Sequence, residues 1–390
     1  MPASETVGTG AANGARAARE AREVEILRGL VAIPSLSGEE RPAVEHLCRT
    51  MDGLGFRTEI DASGNAVGQM GDGPREVILL GHIDTVPGAV PVRVADGVLH
   101  GRGAVDAKGP LATFVCAAAR ALADGGLGGL RVTVIGAVGE EAESDGARHV
   151  ATMPAPDCCV IGEPGGWEGV VLGYKGSMGA TYTLRQPGGH SAGPAASAPQ
   201  VAVDYWGRVT GWAERFNAGR EGAFDRLEPT LRAINSGGDG LYDRVELRMG
   251  FRLPLDLDGA ALAATLHDLA RIDGAGEKGQ EAEATVEVGQ AIPAFRGDKN
   301  TPLVRALLGG IRAEGGRPRF KVKTGTADMN IVGPAWGCPI VAYGPGDAKL
   351  DHTPHERIEV AEYLRAIRVL AAALRTLGAA SGGARQEGGQ

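Results

Sequence analysis

The chain has 390 residues, 43% of them hydrophobic and 23% charged, with a formal net charge of −8. That balance fits a soluble globular protein and excludes a polybasic nucleic-acid binder; aromatics at 4% are too sparse for base-stacking platforms, and no apolar run reaches membrane-spanning length. The length exceeds what one hydrophobic core commonly serves, so two domains are expected.

In chain order, residues 1–22 are rich in alanine, glycine, arginine and glutamate, lack the apolar stretch of a secretory signal, and read as a disordered lead-in. Helices are expected over residues 24–33, ending at Pro34, and over 41–54, where Val44, Leu47, Cys48 and Met51 recur at helical spacing. Residues 76–80 are a short apolar run, the pattern of a strand covered on both faces. A helix over 110–122 and buried strands over 131–138 and 158–162 follow. Strands alternating with helices predict an α/β domain on a mostly parallel sheet.

The pattern changes after Gly176. Residues 177–186 alternate, 199–216 are helical, 230–235 and 242–253 are strands, 259–272 are helical, and 281–288 alternate again. The order β-α-β-β-α-β reads as a ferredoxin-like module inserted into the α/β domain. The α/β pattern resumes with a helix after Pro302, a strand at 339–343 and a helix over 360–377. The expected organisation is an α/β domain from residues 23–175 and 292–378, an inserted α+β domain from 176–291, and a disordered tail at 379–390. The five cysteines, Cys48, Cys116, Cys158, Cys159 and Cys338, form neither a disulfide framework nor a C-x-x-C zinc pattern, so a reducing cytoplasm is expected.

Chemistry concentrates at the ends of the apolar runs. His82 and Asp84 lie in Gly81-His82-Ile83-Asp84-Thr85-Val86-Pro87, Asp106 in Gly103-Ala104-Val105-Asp106-Ala107-Lys108-Gly109, Glu140 and Glu141 after Gly139, and Glu163 in Gly162-Glu163-Pro164. Histidine nitrogen and carboxylate oxygen suit zinc, and a carboxylate can bridge two metals with its two oxygens. Open α/β folds place ligands at the carboxyl ends of their strands. Asp84 shares a strand face with His82 at the i, i+2 spacing and is placed to orient its imidazole.

These segments resemble the M20 family of dinuclear zinc peptidases and deacylases, the group of acetylornithine deacetylase and succinyl-diaminopimelate desuccinylase. The motifs Gly-His-x-Asp-Thr-Val-Pro and Gly-Arg-Gly-x-x-Asp-x-Lys-Gly carry the likeness, which covers nearly the whole chain apart from its tails. The resemblance implies two divalent ions, zinc first and cobalt as an alternative. It implies that His82 and Glu163 bind one metal, Glu141 and a late histidine the other, and that Asp106 bridges them. The late histidine is His352, with His355 its rival; His352 sets Glu356 at the family's offset. Glu140 becomes the general base for hydroxide attack on an amide carbonyl. The inserted module becomes a lid through which the chain forms a homodimer, and His190 reaches the partner's site as an oxyanion donor. Arg252 is implied as the clamp on a substrate carboxylate, with Asn235 nearby and Lys175, Gly325 and Thr326 as further substrate contacts. Ala327 stands where the family carries serine, which removes one hydroxyl donor.

Further motifs, Gly173-Tyr174-Lys175-Gly176 and Tyr343-Gly344-Pro345-Gly346-Asp347 among them, resemble the branch that frees lysine or ornithine from the C-terminal glutamate of an acidic amino-group carrier protein. A small-molecule N-acyl amino acid deacylase is the alternative, and a catalytically silent scaffold a third reading. Arg317, Arg319, Lys321 and Lys323 alternate, so on a strand they share one face; it would either steer an acidic carrier or protect a solvated edge.

Overall fold

The computed structural model describes residues 6–190, 192–193, 195–271 and 282–380. The chain runs α1 (Thr6–Val31), α2 (Arg41–Asp52), β1 (Arg57–Ile60), β2 (Ala66–Met70), β3 (Arg75–His82), β4 (Arg93–Ala95), β5 (Val98–His100), α3 (Lys108–Ala123), β6 (Leu130–Ala137), α4 (Asp145–Val150), β7 (Cys158–Gly162) and β8 (Gly169–Tyr174). It continues with β9 (Gly176–Pro187), α5 (Ala198–Phe216), β10 (Glu228–Gly238), β11 (Tyr242–Leu253), α6 (Gly259–Leu269), β12 (Glu283–Val288) and β13 (Phe295–Arg296). It closes with α7 (Pro302–Ala313), β14 (Arg319–Lys323), α8 (Met329–Trp336), β15 (Ile340–Ala342), β16 (Arg357–Glu359) and α9 (Val360–Ala379).

Two compact units emerge. The first comprises Met1–Leu172, Gly297–Lys321 and Ala327–Gln390, the second Gly173–Arg296 and Val322–Thr326. In the first unit the main sheet has the order β1-β2-β6-β3-β7-β15-β8. Its centre, β6, β3, β7 and β15, is parallel, and the pairs β1-β2, β2-β6 and β15-β8 are antiparallel. β3 buries Val77, Leu79 and Leu80 completely, as a strand covered on both faces must. A smaller sheet, β16-β5-β4, pairs Arg357 with His100 and Ile358 with Leu99.

The second unit has an antiparallel sheet in the order β10-β11-β9-β12, with the chain sequence β9-α5-β10-β11-α6-β12, which is the ferredoxin-like arrangement. α5 starts with a capping box in which Ser197 and Gln200 satisfy each other's exposed amides, and Pro199 fits the first turn. Tyr182 of β9 stacks on Tyr205 of α5 with ring centroids 4.1 Å apart in this unit's own apolar core. Residue 272 of the expected helix, residue 281 of the expected strand and residues 381–390 of the expected tail lie outside the described residues.

The lead-in is corrected: residues from Thr6 onward are helical, continuous with the segment expected to start at 24. Its later part is also packed. Glu23 is 5% exposed and takes Arg120 of α3 in a two-point ion pair at 3.0 and 2.7 Å, while its backbone carbonyl accepts the Tyr363 hydroxyl of α9. Removing one partner of a buried pair strands the other charge, so Glu23→Ala is expected to destabilise the protein by about 3–5 kcal/mol, measured by denaturant unfolding. Among the described residues no helix is long and apolar enough to cross a membrane, and the five cysteines are unpaired.

Candidate metal centre

The carboxyl ends of the parallel strands collect most of the candidate ligands. His82 is the last residue of β3, Glu140 and Glu141 follow β6, and Glu163 follows β7. Gly139 takes φ +75 in the turn that delivers Glu140, a conformation suited to glycine. Asp106 comes from the loop between β5 and α3. Gly109 lets α3 close against that loop, since a Cβ there would stand 2.3 Å from the Ala104 carbonyl oxygen. His352, between β15 and β16, holds φ +59, which residues other than glycine seldom adopt.

Asp106 stands between two donor sets. Its Oδ1 lies 3.2 Å from His82 Nε2 and its Oδ2 lies 3.1 Å from His352 Nε2. Glu163 Oε1 is 3.9 Å from His82 Nε2, and Glu141 Oε1 is 2.9 Å from His352 Nε2. The groups His82–Asp106–Glu163, Asp106–Glu141–His352 and His82–Glu140–Glu141 each offer donor atoms within 4.8 Å of one another. His355 belongs to none of them; it is exposed, and its N–H donates to Thr353 Oγ1.

The residues fit two cations. Donors about 2.0–2.2 Å from a tetrahedral zinc stand roughly 3.3–3.6 Å apart, and the contacts of 2.9 to 3.9 Å bracket that spacing. Five carboxylates, those of Asp84, Asp106, Glu140, Glu141 and Glu163, gather about the buried His82 and the half-exposed His352, and the carboxylates themselves have little solvent to screen them. The side chains of His82 and Glu163 are 1% and 9% exposed, and that of Glu141 is 10% exposed. Such an excess of buried negative charge calls for bound cations.

Asp84 is fully buried and holds three parts together. The His82 Nδ1 lies 3.1 Å from the Asp84 carbonyl oxygen and 3.4 Å from its Oδ1. The backbone N–H groups of Glu140 and Glu141 donate to the Asp84 carboxylate at 3.1 and 3.0 Å, and Ser37 Oγ donates at 2.7 Å. Asp84 thus orients the imidazole and the whole Glu140-Glu141 turn at once. Sequence reasoning missed Ser37; the hydroxyls of Pro34-Ser35-Leu36-Ser37-Gly38 were the available signal. It also passed over Asp328, which is 2% exposed and whose carboxyl is pushed up to about 7, by burial first and by the Asp84 charge, against His82 and a bond from Ser144.

Without a cation the two histidines hold protons. Burial alone would depress His82, but the neighbouring carboxylates Asp106, Asp84 and Glu140 outweigh it and hold it well above its usual value. The bond to Asp106 raises His352 to about 9, against partial burial, with Glu141 adding. Glu140 is pushed well up, by burial first and then by Glu163, Asp328 and Glu141, against His82. A cation needs neutral imidazole, so binding releases protons and affinity is expected to rise with pH up to about 9. The metal-free protein has the opposite sign. Stability contributed by protonated His352 is complete below its unfolded value near 6.5 and is lost as pH rises through about 9. Thermal unfolding of chelated and zinc-loaded protein across that range is expected to give slopes of opposite sign.

The remaining candidates lie in the second unit and fall into two groups. Arg252 is half-buried, its Nη1 stands 3.5 Å from Thr326 Oγ1, and no carboxylate lies within ion-pair distance of it among the described residues. Gly325 lies in the same segment; the neighbouring Ala327, in the first unit, already gives its N–H to Asn330 Oδ1. Asn235 is corrected: it pairs with Glu246, whereas Arg252 pairs with Glu228, so seven residues of β10, about 20 Å at strand rise, separate Asn235 from the Arg252 level. It lies instead toward the end of the sheet where Gly188 bonds to Leu241, just before the exposed His190, whose Nδ1 accepts the Ala192 N–H. Lys175 is corrected too. It is fully buried, and its ammonium donates to the carbonyls of Ala223 and Arg226 and to Glu228, so it holds this unit together and does not face a substrate. Ser191 and Pro194 lie outside the described residues.

The model of a family described as peptidase family M20/M25/M40 matches residues 78–376. A [LysW]-lysine hydrolase of Deinococcus radiodurans is 46% identical over 358 residues, covering 90% of this chain and 96% of that protein. Among solved structures, a tripeptidase from Staphylococcus aureus superposes with a TM-score of 0.75 at 21% identity, over 92% of this chain and 99% of its own. An M20-family metallo-carboxypeptidase from Sulfolobus solfataricus gives 0.73 at 16% identity, over the same 92% and 99%. These two likenesses concern the fold.

Proposed function

The chain belongs to peptidase family M20/M25/M40 and is a metal-dependent amide hydrolase, and from that premise we propose that it releases lysine or ornithine from the γ-carboxyl of the C-terminal glutamate of an amino-group carrier protein. The observation that carries the chemistry is Asp106, with one oxygen toward each histidine. The substrate follows from the identity to the [LysW]-lysine hydrolase over nearly the whole of both chains.

His82, Asp106 and Glu163 would hold one cation, and Asp106, Glu141 and His352 the other. The nitrogen and oxygen donors favour zinc, with cobalt also suited. The bound cations would supply Lewis acidity toward the amide carbonyl and a water of lowered pKa. Glu140 takes the proton of the attacking water and returns it to the leaving α-amine; a carboxylate whose pKa is raised by burial suits that exchange. Arg252, which has no carboxylate within ion-pair distance among the described residues, pairs with the carboxylate of the released amino acid, and Thr326 adds a hydroxyl beside it. His190 and Asn235 act at the metal centre of a second copy, where His190 donates to the oxyanion, so the active form is a homodimer. Their place at one end of the sheet, far from Arg252, supports this reading.

The acidic carrier meets Arg317, Arg319 and Lys321, which are exposed on or beside β14, although Lys321 Nζ also donates to the Gly165 carbonyl at 2.7 Å. The protein works in the cytoplasm, which suits its free cysteines. Intact-mass measurement of a carrier charged with lysine or ornithine, before and after incubation with the zinc-loaded protein, tests the proposal. Loss of the amino acid from the carrier is expected, with N-acetyl-lysine and N-acetyl-ornithine turned over far more slowly. A charged carrier left intact while the small amides are cleaved would identify a small-molecule deacylase instead.

A further inference from the structure

Glu356 is a buried carboxylate that touches no candidate cation donor, yet three ligand-bearing segments converge on it. It is 0% exposed. Its Oε1 accepts the backbone N–H groups of Val105 and Asp106 at 2.9 and 3.1 Å, and its Oε2 accepts Arg102 Nη1 at 2.6 Å. Its own carbonyl takes the Gly101 N–H at 3.3 Å. Arg102 in turn donates from Nε to the Gly88 carbonyl at 3.0 Å. Gly88 ends the segment that begins with His82 and Asp84, Asp106 lies in the gripped loop, and His352 lies four residues before Glu356.

We propose that Glu356 is a positioning residue that sets Asp106 between His82 and His352, with Arg102 extending the same clamp to the His82 segment. The inference rests on the metal-centre reading above. The clamp has little freedom, because the next residue, Arg357, is paired with His100 across β16 and β5, just ahead of the gripped loop. Between β5 and α3 the chain has no ladder of its own. The direction of the Asp106 backbone is therefore set by the oxygen that receives its N–H. A bridging carboxylate must offer one oxygen to each side, so a small rotation of its backbone would spoil both donor sets together. Outer-sphere partners of this kind contribute roughly 10–100-fold to metal affinity.

Two double variants isolate the grip from the charge. Arg102→Met/Glu356→Gln and Arg102→Met/Glu356→Leu both remove the ion pair, and both take the Glu356 charge away from the buried Lys108 ammonium, so that effect is common to the two. They differ in whether an oxygen remains for the amides of Val105 and Asp106. Zinc affinity, measured by competition with a chromogenic chelator, is expected to be at least tenfold weaker in the leucine double than in the glutamine double, with circular dichroism confirming that both are folded. Equal affinities in the two would overturn the proposal. Should the leucine double fail to fold, Glu356→Gln alone turns an amide N–H toward Arg102, and Arg102→Met added to it relieves that conflict. Zinc affinity is then expected to recover at least threefold in the double, and no recovery would overturn the proposal. Wild-type protein that binds no zinc would instead overturn the metal-centre reading itself.

Discussion

Glu140→Gln is expected to lower kcat for amide hydrolysis by about 10²–10⁴-fold, equivalent to roughly 3–5 kcal/mol of transition-state stabilisation, while zinc content and fold are retained. Glutamine matches glutamate in shape but cannot accept the proton of an attacking water. The turn that carries Glu140 is held through its backbone, by the bonds from the Glu140 and Glu141 N–H groups to Asp84, and these survive the substitution. The loss should therefore fall on kcat with KM little changed, the signature of an interaction made only in the transition state. Steady-state kinetics with zinc analysis of the same sample checks both halves. Residual hydrolysis near the wild-type rate would show that another group takes the proton.

Asp106→Asn is expected to act one step earlier, on metal binding. A carboxamide has one oxygen and one N–H₂ group, so it cannot offer an acceptor toward both His82 and His352, which face Oδ1 and Oδ2 in the native side chain. The affected site should lose more than the roughly 10–100-fold that removal of an outer-sphere partner costs, and hydrolysis should fall with it. Added zinc should restore activity only in part, because the arrangement between the donor sets, and not occupancy alone, is broken. Equilibrium dialysis against zinc, with activity followed over the same range, separates the two. Two tightly bound ions per chain in this variant would remove Asp106 from the bridging position.

The contrast between Asp106 and His82 also shows how far the sequence carries. His82 and Glu163 follow apolar runs that a parallel sheet must bury, and strand ends of such a sheet are where ligands collect, so their place was legible from pattern and topology. Asp106 was grouped with the strand ends, yet it lies, like His352, on a loop with no periodicity; for His352 only the resemblance of the surrounding motif brought it to the same site. Ser37 and Arg102 act through bonds to side chains far away in sequence, and no local pattern marks such pairings. The first helix was misread for a different reason. Residues 6–22 lack an apolar stripe, but alanine, arginine and glutamate are strong helix formers, and the burial of Glu23 depends on Arg120, 97 residues away. Lys175 shows the converse error. A lysine in a family motif suggested a ligand contact, whereas three internal acceptors already enclose its ammonium. Asn235 and Arg252 were grouped as substrate contacts by the resemblance, and only the strand register shows that they stand at different levels of their sheet.

The most direct test is a metal titration of the chelated protein, with release of lysine from the charged carrier read at each step. Two donor sets that share Asp106 predict no hydrolysis in the metal-free state, activity that rises until two equivalents of zinc are bound per chain, and no rise at any zinc level in Glu140→Gln. Full activity in the chelated protein, or saturation at a single equivalent with the second ion bound elsewhere, would contradict the account.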